Sequence, residues 1–220
     1  MIKELNIMVA GVGGQGSILL SHIVGNAAIK EGYRARVAET YGGSIRGGAV
    51  SGQIRIGTNI FEPLIPQDSV DVLVALEPIE GLRVGVRYLA PHGMVISNTS
   101  PLKPVNANIG RAEYPPVRKI IGYLRKLCKE VLPIDATRLA KESGSARTLN
   151  IVMLGGLTAT GKLPVSMKTL KETIEEQVPE GTGAVNLKAF EVTAKVSPML
   201  YGLMTEEINY SYEGGLYGEL

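Results

Sequence analysis

The glycine-rich run at residues 11–16 is the feature that most constrains the fold. It reads Gly-Val-Gly-Gly-Gln-Gly, follows an apolar stretch at residues 5–10 and precedes an apolar helical pattern at residues 17–30. A glycine loop between a strand and a helix presents backbone N–H groups at the positive end of the helix, where phosphates bind. The run therefore predicts an anion site. Its candidate residues are Gly11, Gly13, Gly14, Gln15, Gly16 and Ser17.

Strand and helix patterns alternate through the first half of the chain. Strands are predicted at 34–38, 49–56, 70–76 and 93–97, and a second helix at 77–89. This order favours a three-layer α/β/α domain with a mixed, mostly parallel sheet. Since no crossover helix precedes the strand at 49–56, at least one antiparallel pair is expected.

The second half is predicted to be mainly helical. An edge strand is expected at 107–113, and helices at 117–131, 146–160, 166–178 and 184–196. A further helix should begin after a short strand at Pro133, with Asp135 or Thr137 as its cap. The glycine pair at 155–156 predicts close helix packing.

The domain is expected to span residues 1–197, followed by a C-terminal arm at 198–220. The arm has little periodicity and contains Tyr201, Tyr210, Tyr212 and Tyr217. Two interpretations stay open, a frayed chain end and a segment whose tyrosines dock on a partner.

Charge and hydropathy exclude several classes of protein. The 220-residue chain has a net charge of +2, which does not favour binding to nucleic acid or to an anionic membrane surface. No apolar run approaches about 18 residues, and the first residues lack the pattern of a secretory signal. We therefore predict a cytoplasmic protein without a membrane segment.

Cysteine and histidine are scarce. The single cysteine, Cys128, excludes a disulfide within the chain and any iron–sulfur cluster that this chain alone would ligate. Its place in a helical pattern favours packing over reactivity. The two histidines, His22 and His92, do not indicate a metal site, and His22 is expected to contact backbone or solvent.

A second glycine-rich loop follows the strand at 34–38. It lies at residues 41–48, just after Glu39, which stands about where a ribose-binding acid lies in a dinucleotide fold. Two such loops at the same edge of a sheet would form a crevice lined by backbone. These residues leave open an NAD-binding dehydrogenase or a nucleotide-sensing protein.

Several short motifs occur in a fixed order along the first 180 residues. They are the run at 11–16, Glu-Thr-Tyr-Gly at 39–42, Arg-Gly-Gly at 46–48, Leu-Ile-Pro at 64–66, Ala-Glu-Tyr-Pro at 112–115, Ile-Asp-Ala-Thr at 134–137, and Asn150 with Met-Leu-Gly-Gly at 153–156. This ordered set resembles the gamma subunit of the 2-oxoacid:ferredoxin oxidoreductases, and within that family it is most similar to the small (beta) subunit of the indolepyruvate enzymes.

The resemblance implies a reaction that this chain does not complete alone. Such enzymes oxidatively decarboxylate a 2-oxoacid with coenzyme A, forming an acyl-CoA, CO2 and reduced ferredoxin. Thiamine diphosphate, Mg²⁺ and [4Fe-4S] clusters would be held by a larger partner subunit, through which ferredoxin is reduced. This chain would cap the active site and help to bind coenzyme A, with no catalytic residue of its own. Arg46 and Gly47 on the second loop join the predicted coenzyme A contacts, Arg46 because a guanidinium binds phosphate bidentately. A salt bridge from Arg46 to Glu39 or to the partner subunit is the alternative.

Overall fold

The computed structural model describes residues 2–42, 48–103 and 113–195. Six strands in these residues form one sheet with the order β2-β3-β1-β4-β5-β6. The strands are β1 (Glu4–Val12), β2 (Arg34–Tyr41), β3 (Ala49–Gly57), β4 (Val70–Ala75), β5 (Leu89–Asn98) and β6 (Glu130–Ile134).

Seven α-helices lie in the described residues. They are α1 (Ser17–Lys30), α2 (Pro78–Tyr88), α3 (Val117–Leu127), α4 (Ala136–Ser143), α5 (Leu149–Ala159), α6 (Met167–Gln177) and α7 (Gly183–Ala194). A 3-10 turn at Ala146–Thr148 leads into α5. A single helix was expected at 146–160, and the first turn of that segment is instead wound more tightly.

The sheet lies between two layers of helices. One apolar core packs five helices, α1, α4, α5, α6 and α7, on one face of the sheet. It contains fully buried side chains such as Leu20 and Phe190. The other core joins α2 and α3 to the opposite face, with Leu124 fully buried. The predicted three-layer α/β/α architecture is confirmed.

The sheet is mixed, as predicted. Strand β1 pairs in parallel with β4, β4 with β5, and β5 with β6. Strand β3 pairs antiparallel with both β1 and β2. Since β3 lies between β1 and β2, the connection through α1 does not place β2 directly beside β1.

The carboxyl ends of β1, β4, β5 and β6 meet at one edge of the sheet. The helix after β1 packs on one face and the helix after β4 packs on the other. This arrangement makes the gap between β1 and β4 a topological switch point, where ligands of open α/β sheets commonly bind. The glycine-rich loop after β1 lies at this edge.

The helix predicted at 117–131 ends four residues earlier than expected. Cys128 has extended backbone angles, and the chain then enters β6, where Val131 pairs with Val95. The apolar residues at 131–132 fit both a helix continuation and a buried strand, so periodicity alone does not separate the two.

The N-terminal cap of α4 is Asp135 rather than Thr137. The Asp135 side chain accepts a hydrogen bond from the Arg138 N–H.

Close packing at the glycine pair is confirmed. A Cβ on Gly155 would overlap the Phe190 carbonyl oxygen and the Thr193 hydroxyl of α7, and one on Gly156 would lie 2.7 Å from Ile134 Cδ1. Helix α5 therefore fits between α7 and the sheet only because both positions lack a side chain.

Several predictions fall outside the described residues. They concern Arg46 and Gly47, nearly all of the edge strand at 107–113, and the C-terminal arm at 198–220. These stay predictions.

Candidate functional site

The loop between β1 and α1 has a backbone that requires glycine. Gly14 has φ +101° and Gly16 has φ +80°, in the left-handed region that side chains disfavour. A Cβ on Gly14 would meet no atom of the described residues within 4 Å. The backbone at Gly14 is thus open to an approaching ligand.

Gly11 belongs to β1 rather than to the loop. It pairs with Val50 of β3, and a Cβ there would lie 2.8 Å from Gln15 Oε1 and 2.9 Å from Ser17 Oγ. The missing side chain makes room for the loop's own polar groups, and a direct ligand contact at Gly11 stays a prediction.

The Gln15 amide connects the loop to the neighbouring strand. Its Oε1 accepts from the Val12 N–H at 2.9 Å, and its Nε2 donates to the Leu76 carbonyl oxygen at 3.2 Å. Leu76 directly follows β4, so Gln15 bridges the two strands at the switch point. This amide has a structural role, whereas its predicted cofactor contact is untested.

The N-terminus of α1 has no side-chain cap. Gly16 occupies the cap position, its carbonyl accepts from Leu20 N–H at 3.1 Å, and the first turn contains no acidic residue. Asn150 Nδ2 donates to the same carbonyl at 3.2 Å. The first N–H groups of a helix have no partner within the helix, and they carry partial positive charge.

Ser17 adds an unpaired polar atom at this helix end. The residue is only 3% exposed, and its buried Oγ has no hydrogen-bond partner among the described residues. A buried hydroxyl without a partner is uncommon and costs free energy. The uncapped N–H groups form a donor set suited to an anion, and the Ser17 hydroxyl lies buried and unpartnered at the same helix end.

These donors border an open cleft of about 580 Å³. The described residues that line it are Val12, Gly13, Gly14, Gly16, Ser17, Ile18, Leu19, His22, Tyr41, Val50 and Gln177. None of these is Asp, Glu, Lys or Arg, so no acidic side chain in this described wall neutralises the positive end of α1.

The two glycine-rich loops meet at the cleft. Gly13 N–H donates to the Gly48 carbonyl oxygen at 2.9 Å, and Gly42 N–H donates to the Ala49 carbonyl at 2.7 Å. The predicted crevice between the loops is confirmed for the described part of the second loop. Arg46 and Gly47, which the sequence places in that loop, lie outside the described residues.

A hydrogen-bonded triad stands at the rim of the cleft. His22 Nε2 lies 2.7 Å from Glu39 Oε1, and the Tyr41 hydroxyl donates to Glu39 Oε2. These contacts, the one from Tyr41 above all, lower the pKa of Glu39. The Glu39 carboxylate in turn raises the pKa of Tyr41. His22 thus contacts solvent, as expected from the sequence, and also a carboxylate that the sequence did not indicate.

The triad also argues against Glu39 as a ribose ligand. Strand β2 is separated from β1 by β3, which displaces Glu39 by about one strand spacing of 4.8 Å from its place in a dinucleotide fold. Both of its carboxylate oxygens already have partners on the protein. The geometry therefore does not favour the NAD-dependent alternative.

A second polar cluster lies beyond the carboxyl end of β4. Glu77 is fully buried and caps α2, with Oε2 accepting from Ile79 N–H at 2.8 Å and Glu80 N–H at 2.9 Å. The Tyr114 hydroxyl donates to Glu77 Oε1 at 2.5 Å. Burial raises the pKa of Tyr114 strongly, as does its bond to Glu77. The cluster fixes the chain at Tyr114 against the switch point.

Cys128 is buried at the C-terminal end of α3, and burial raises the pKa of its thiol. The packing role expected from the sequence agrees with this. Among the described residues no group of three or more His, Cys, Asp and Glu side chains could hold a metal ion. Within the same ranges, no helix has the length and apolarity needed to cross a membrane.

Sequence reasoning missed the roles of Asn150 and of the triad. Asn150 lies 134 positions from Gly16, so local spacing could not connect them, although Asn150 belongs to one of the motifs that carry the family resemblance. For His22 and Glu39, the only signal was that both flank the glycine loops in sequence.

Comparison with known families matches nearly the whole domain. Residues 6–196 match the model of the pyruvate ferredoxin/flavodoxin oxidoreductase family. The chain is 36% identical over 207 residues to the indolepyruvate oxidoreductase subunit IorB of Thermococcus kodakarensis, covering 92% of this chain and all of that protein. The IorB subunit of Archaeoglobus fulgidus is 39% identical over 189 residues, which cover 86% of this chain and 93% of that protein.

Solved structures share the fold. The gamma subunit of a keto/oxoacid ferredoxin oxidoreductase from Geobacter sulfurreducens superposes with a TM-score of 0.64 at 24% identity, covering 87% of this chain and 96% of that one. The chain also superposes, with a TM-score of 0.64 at 24% identity, on the 2-oxoglutarate:ferredoxin oxidoreductase from Magnetococcus marinus. That structure was solved with 2-oxoglutarate, coenzyme A and succinyl-CoA bound. That match covers 89% of this chain and 32% of that one.

Proposed function

The chain belongs to the pyruvate ferredoxin/flavodoxin oxidoreductase family, and we propose that it caps the active site of a larger partner subunit and binds a phosphate of coenzyme A there. As a subunit of a 2-oxoacid ferredoxin oxidoreductase, it takes part in an oxidoreductase reaction with an iron–sulfur acceptor. Thiamine diphosphate, Mg²⁺ and [4Fe-4S] clusters are assigned to the larger partner, which passes electrons to ferredoxin. This chain would be inactive alone.

One observation carries the coenzyme A proposal: the uncapped N-terminus of α1 lies beside a buried, unpartnered Ser17 hydroxyl in an open cleft. A phosphate oxygen at this point would accept from the N–H groups of the first turn, and from Ser17 Oγ once that side chain turns toward the cleft. Gly14 leaves the approach open, since a Cβ there would lie more than 4 Å from every other part of the chain that the structure describes. The donor set therefore fits a phosphate group.

Thiamine diphosphate, held by the partner, would supply the decarboxylation chemistry, and this chain as a cap would exclude water from that site and so limit side reactions. This chain would position coenzyme A through the residues that line its cleft. Arg46 and Gly47 would add contacts from the second loop, in keeping with the meeting of the two loops at Gly13 and Gly48.

The substrate is proposed to be indolepyruvate or a related aryl pyruvate. Four relatives at 36–39% identity are named as IorB subunits of indolepyruvate oxidoreductase. The 2-oxoglutarate synthase subunit KorC of Methanothermobacter marburgensis is 32% identical. Ferredoxin reduction by the assembled enzyme with indolepyruvate, pyruvate and 2-oxoglutarate in turn tests this assignment, and a preference for either of the latter two would overturn it.

Gly14→Val in the assembled enzyme tests the phosphate site. We expect a higher KM for coenzyme A, with the KM for the 2-oxoacid and the thiamine diphosphate content unchanged. Gly32→Val is the matched control, because Gly32 also has positive φ (+85°) and an open Cβ position, but follows the far end of α1. Equal effects of the two variants, or loss of thiamine diphosphate in Gly14→Val, would contradict the proposal.

A further inference from the structure

The cleft offers a second polar position besides the helix N-terminus. His22 lines the same cleft and follows Ser17 by five residues on α1. At a rise of 1.5 Å per residue, the two positions are about 7.5 Å apart along the helix axis. His22 is the only described lining residue whose side chain can carry a positive charge.

Glu39 fixes the orientation of the His22 ring. Its Oε1 lies 2.7 Å from His22 Nε2, so this ring nitrogen carries a hydrogen directed at the carboxylate. The other carboxylate oxygen accepts from Tyr41. With both oxygens engaged, Glu39 is left to orient the histidine, and Nδ1 is the ring nitrogen available to a ligand.

His22 is accessible for this purpose. Its side chain is 49% exposed, compared with 20% for that of Glu39. Glu39 engages one ring nitrogen, which leaves the other for a group of the ligand. A phosphate monoester, which can share a proton with an imidazole nitrogen in either direction, is a partner of this kind.

Coenzyme A carries two separate anionic groups, the diphosphate and the 3′-phosphate, joined through one ribose. Resting on the proposed function, we propose that His22 binds the 3′-phosphate of coenzyme A while the diphosphate lies at the N-terminus of α1. Glu39 is then a positioning residue, and the pair determines the preference for coenzyme A over 3′-dephospho-coenzyme A.

The test is a comparison of the two ligands in the assembled enzyme. We measure kcat/KM for coenzyme A and for 3′-dephospho-coenzyme A with the wild type and with His22→Gln. The glutamine amide can still donate to Glu39 in place of Nε2, yet it has no counterpart of Nδ1. We expect the preference for coenzyme A to fall about tenfold, as for loss of one charge-assisted hydrogen bond. Glu39→Gln should lower the preference by a smaller factor, because the ring loses its orientation but not its donor.

His92→Gln is the matched control. Its Nε2 pairs with Asp71 Oδ1 at 3.1 Å, so it is another histidine–carboxylate pair on the surface, away from the lining of the cleft. We expect its ligand preference to equal that of the wild type. A His22→Gln variant that weakens both ligands equally, or neither, would overturn the inference, since a purely structural pair cannot distinguish the ligands.

Failure of the proposed function gives a different result. Both ligands contain the diphosphate, so Gly14→Val should raise the KM for both alike if the phosphate site is correct. An effect of Gly14→Val on both ligands together with an unchanged preference in His22→Gln refutes only the role of His22. No effect of Gly14→Val beyond that of Gly32→Val refutes the site itself.

Discussion

Tyr114 donates its hydroxyl hydrogen to Glu77, a carboxylate that is completely buried at the carboxyl end of β4. The same carboxylate accepts two N–H groups at the start of α2. Three donors therefore satisfy one buried charge, and one of them comes from a residue 37 positions away. A buried charge is tolerated only when its hydrogen bonds are complete.

Tyr114→Phe removes one of those donors without changing the packing of the ring. We expect the free energy of unfolding to fall by about 1–3 kcal/mol, the usual cost of leaving a buried acceptor without its partner. Urea unfolding followed by circular dichroism measures this. Tyr123→Phe is the control, since that ring is 42% exposed, and it should change stability little. A loss in Tyr114→Phe no larger than in the control would contradict the role given to this bond.

Glu80 should make the stability depend on pH. Burial raises the pKa of this carboxyl, Glu77 adds to the rise and Arg83 opposes it. The folded state therefore keeps the proton to higher pH than the unfolded state, so stability falls as the pH rises between the ordinary and the raised pKa. Glu80→Gln removes this titration, and its stability relative to the wild type should improve across that window.

The effect is measured as the free energy of unfolding of Glu80→Gln and of the wild type at several pH values. The series starts at about 4.3, the ordinary pKa of Glu, and goes upward. Glu142→Gln serves as the control, because Glu142 pairs with Arg138 on an exposed helix face. The effect assigned to Glu80 is the part of the change with pH that exceeds the change measured for this control. A constant difference for Glu80→Gln would show that its carboxyl titrates alike in both states.

The packing of α5 against α7 predicts opposite effects at two helical glycines. Gly155→Ala places a methyl group onto the Phe190 carbonyl and the Thr193 hydroxyl. We expect a loss of about 1–3 kcal/mol, as is typical of overpacking. Gly122→Ala on α3 meets nothing within 4 Å and should gain up to about 1 kcal/mol from helix propensity. Thermal unfolding of both variants decides this, and a stable Gly155→Ala would show that α5 can shift.

The order of strands and helices was predictable because each follows from a local pattern. The loop after β1 was also predictable, since glycines at 14 and 16 permit its left-handed backbone. The position of β3 between β1 and β2 was not, because a strand pattern does not state which neighbour it pairs with. For that reason Glu39 resembled a ribose ligand in the sequence and is a partner of His22 in the fold.

The sequence named a set of candidate site residues but not the contacts that they make. Glycine spacing marked Gln15 as part of the loop, yet its amide bridges to Leu76, a contact between residues 61 positions apart. Asn150 likewise reaches Gly16 only through the tertiary fold. Contacts of this length depend on how helices pack on the sheet, which local periodicity does not encode.

Ser17 should separate ligand binding from stability. Its buried Oγ has no partner among the described residues, so Ser17→Ala removes an unsatisfied polar atom and should leave stability unchanged or raise it by about 1 kcal/mol. If the hydroxyl donates to a phosphate, the same variant should raise the KM for coenzyme A in the assembled enzyme. Ser17→Ala would then keep or raise the stability of the protein while it weakens the binding of coenzyme A.

Ser21→Ala provides the comparison one turn further along α1. The Ser21 hydroxyl is buried but donates to the Ser17 carbonyl at 3.0 Å, and it does not line the cleft. This variant should therefore lose a little stability and keep the KM for coenzyme A. Thermal unfolding together with steady-state kinetics on both variants gives the answer. A destabilised Ser17→Ala with an unchanged KM would mean that the hydroxyl serves the fold and that the anion, if bound, is held by backbone alone.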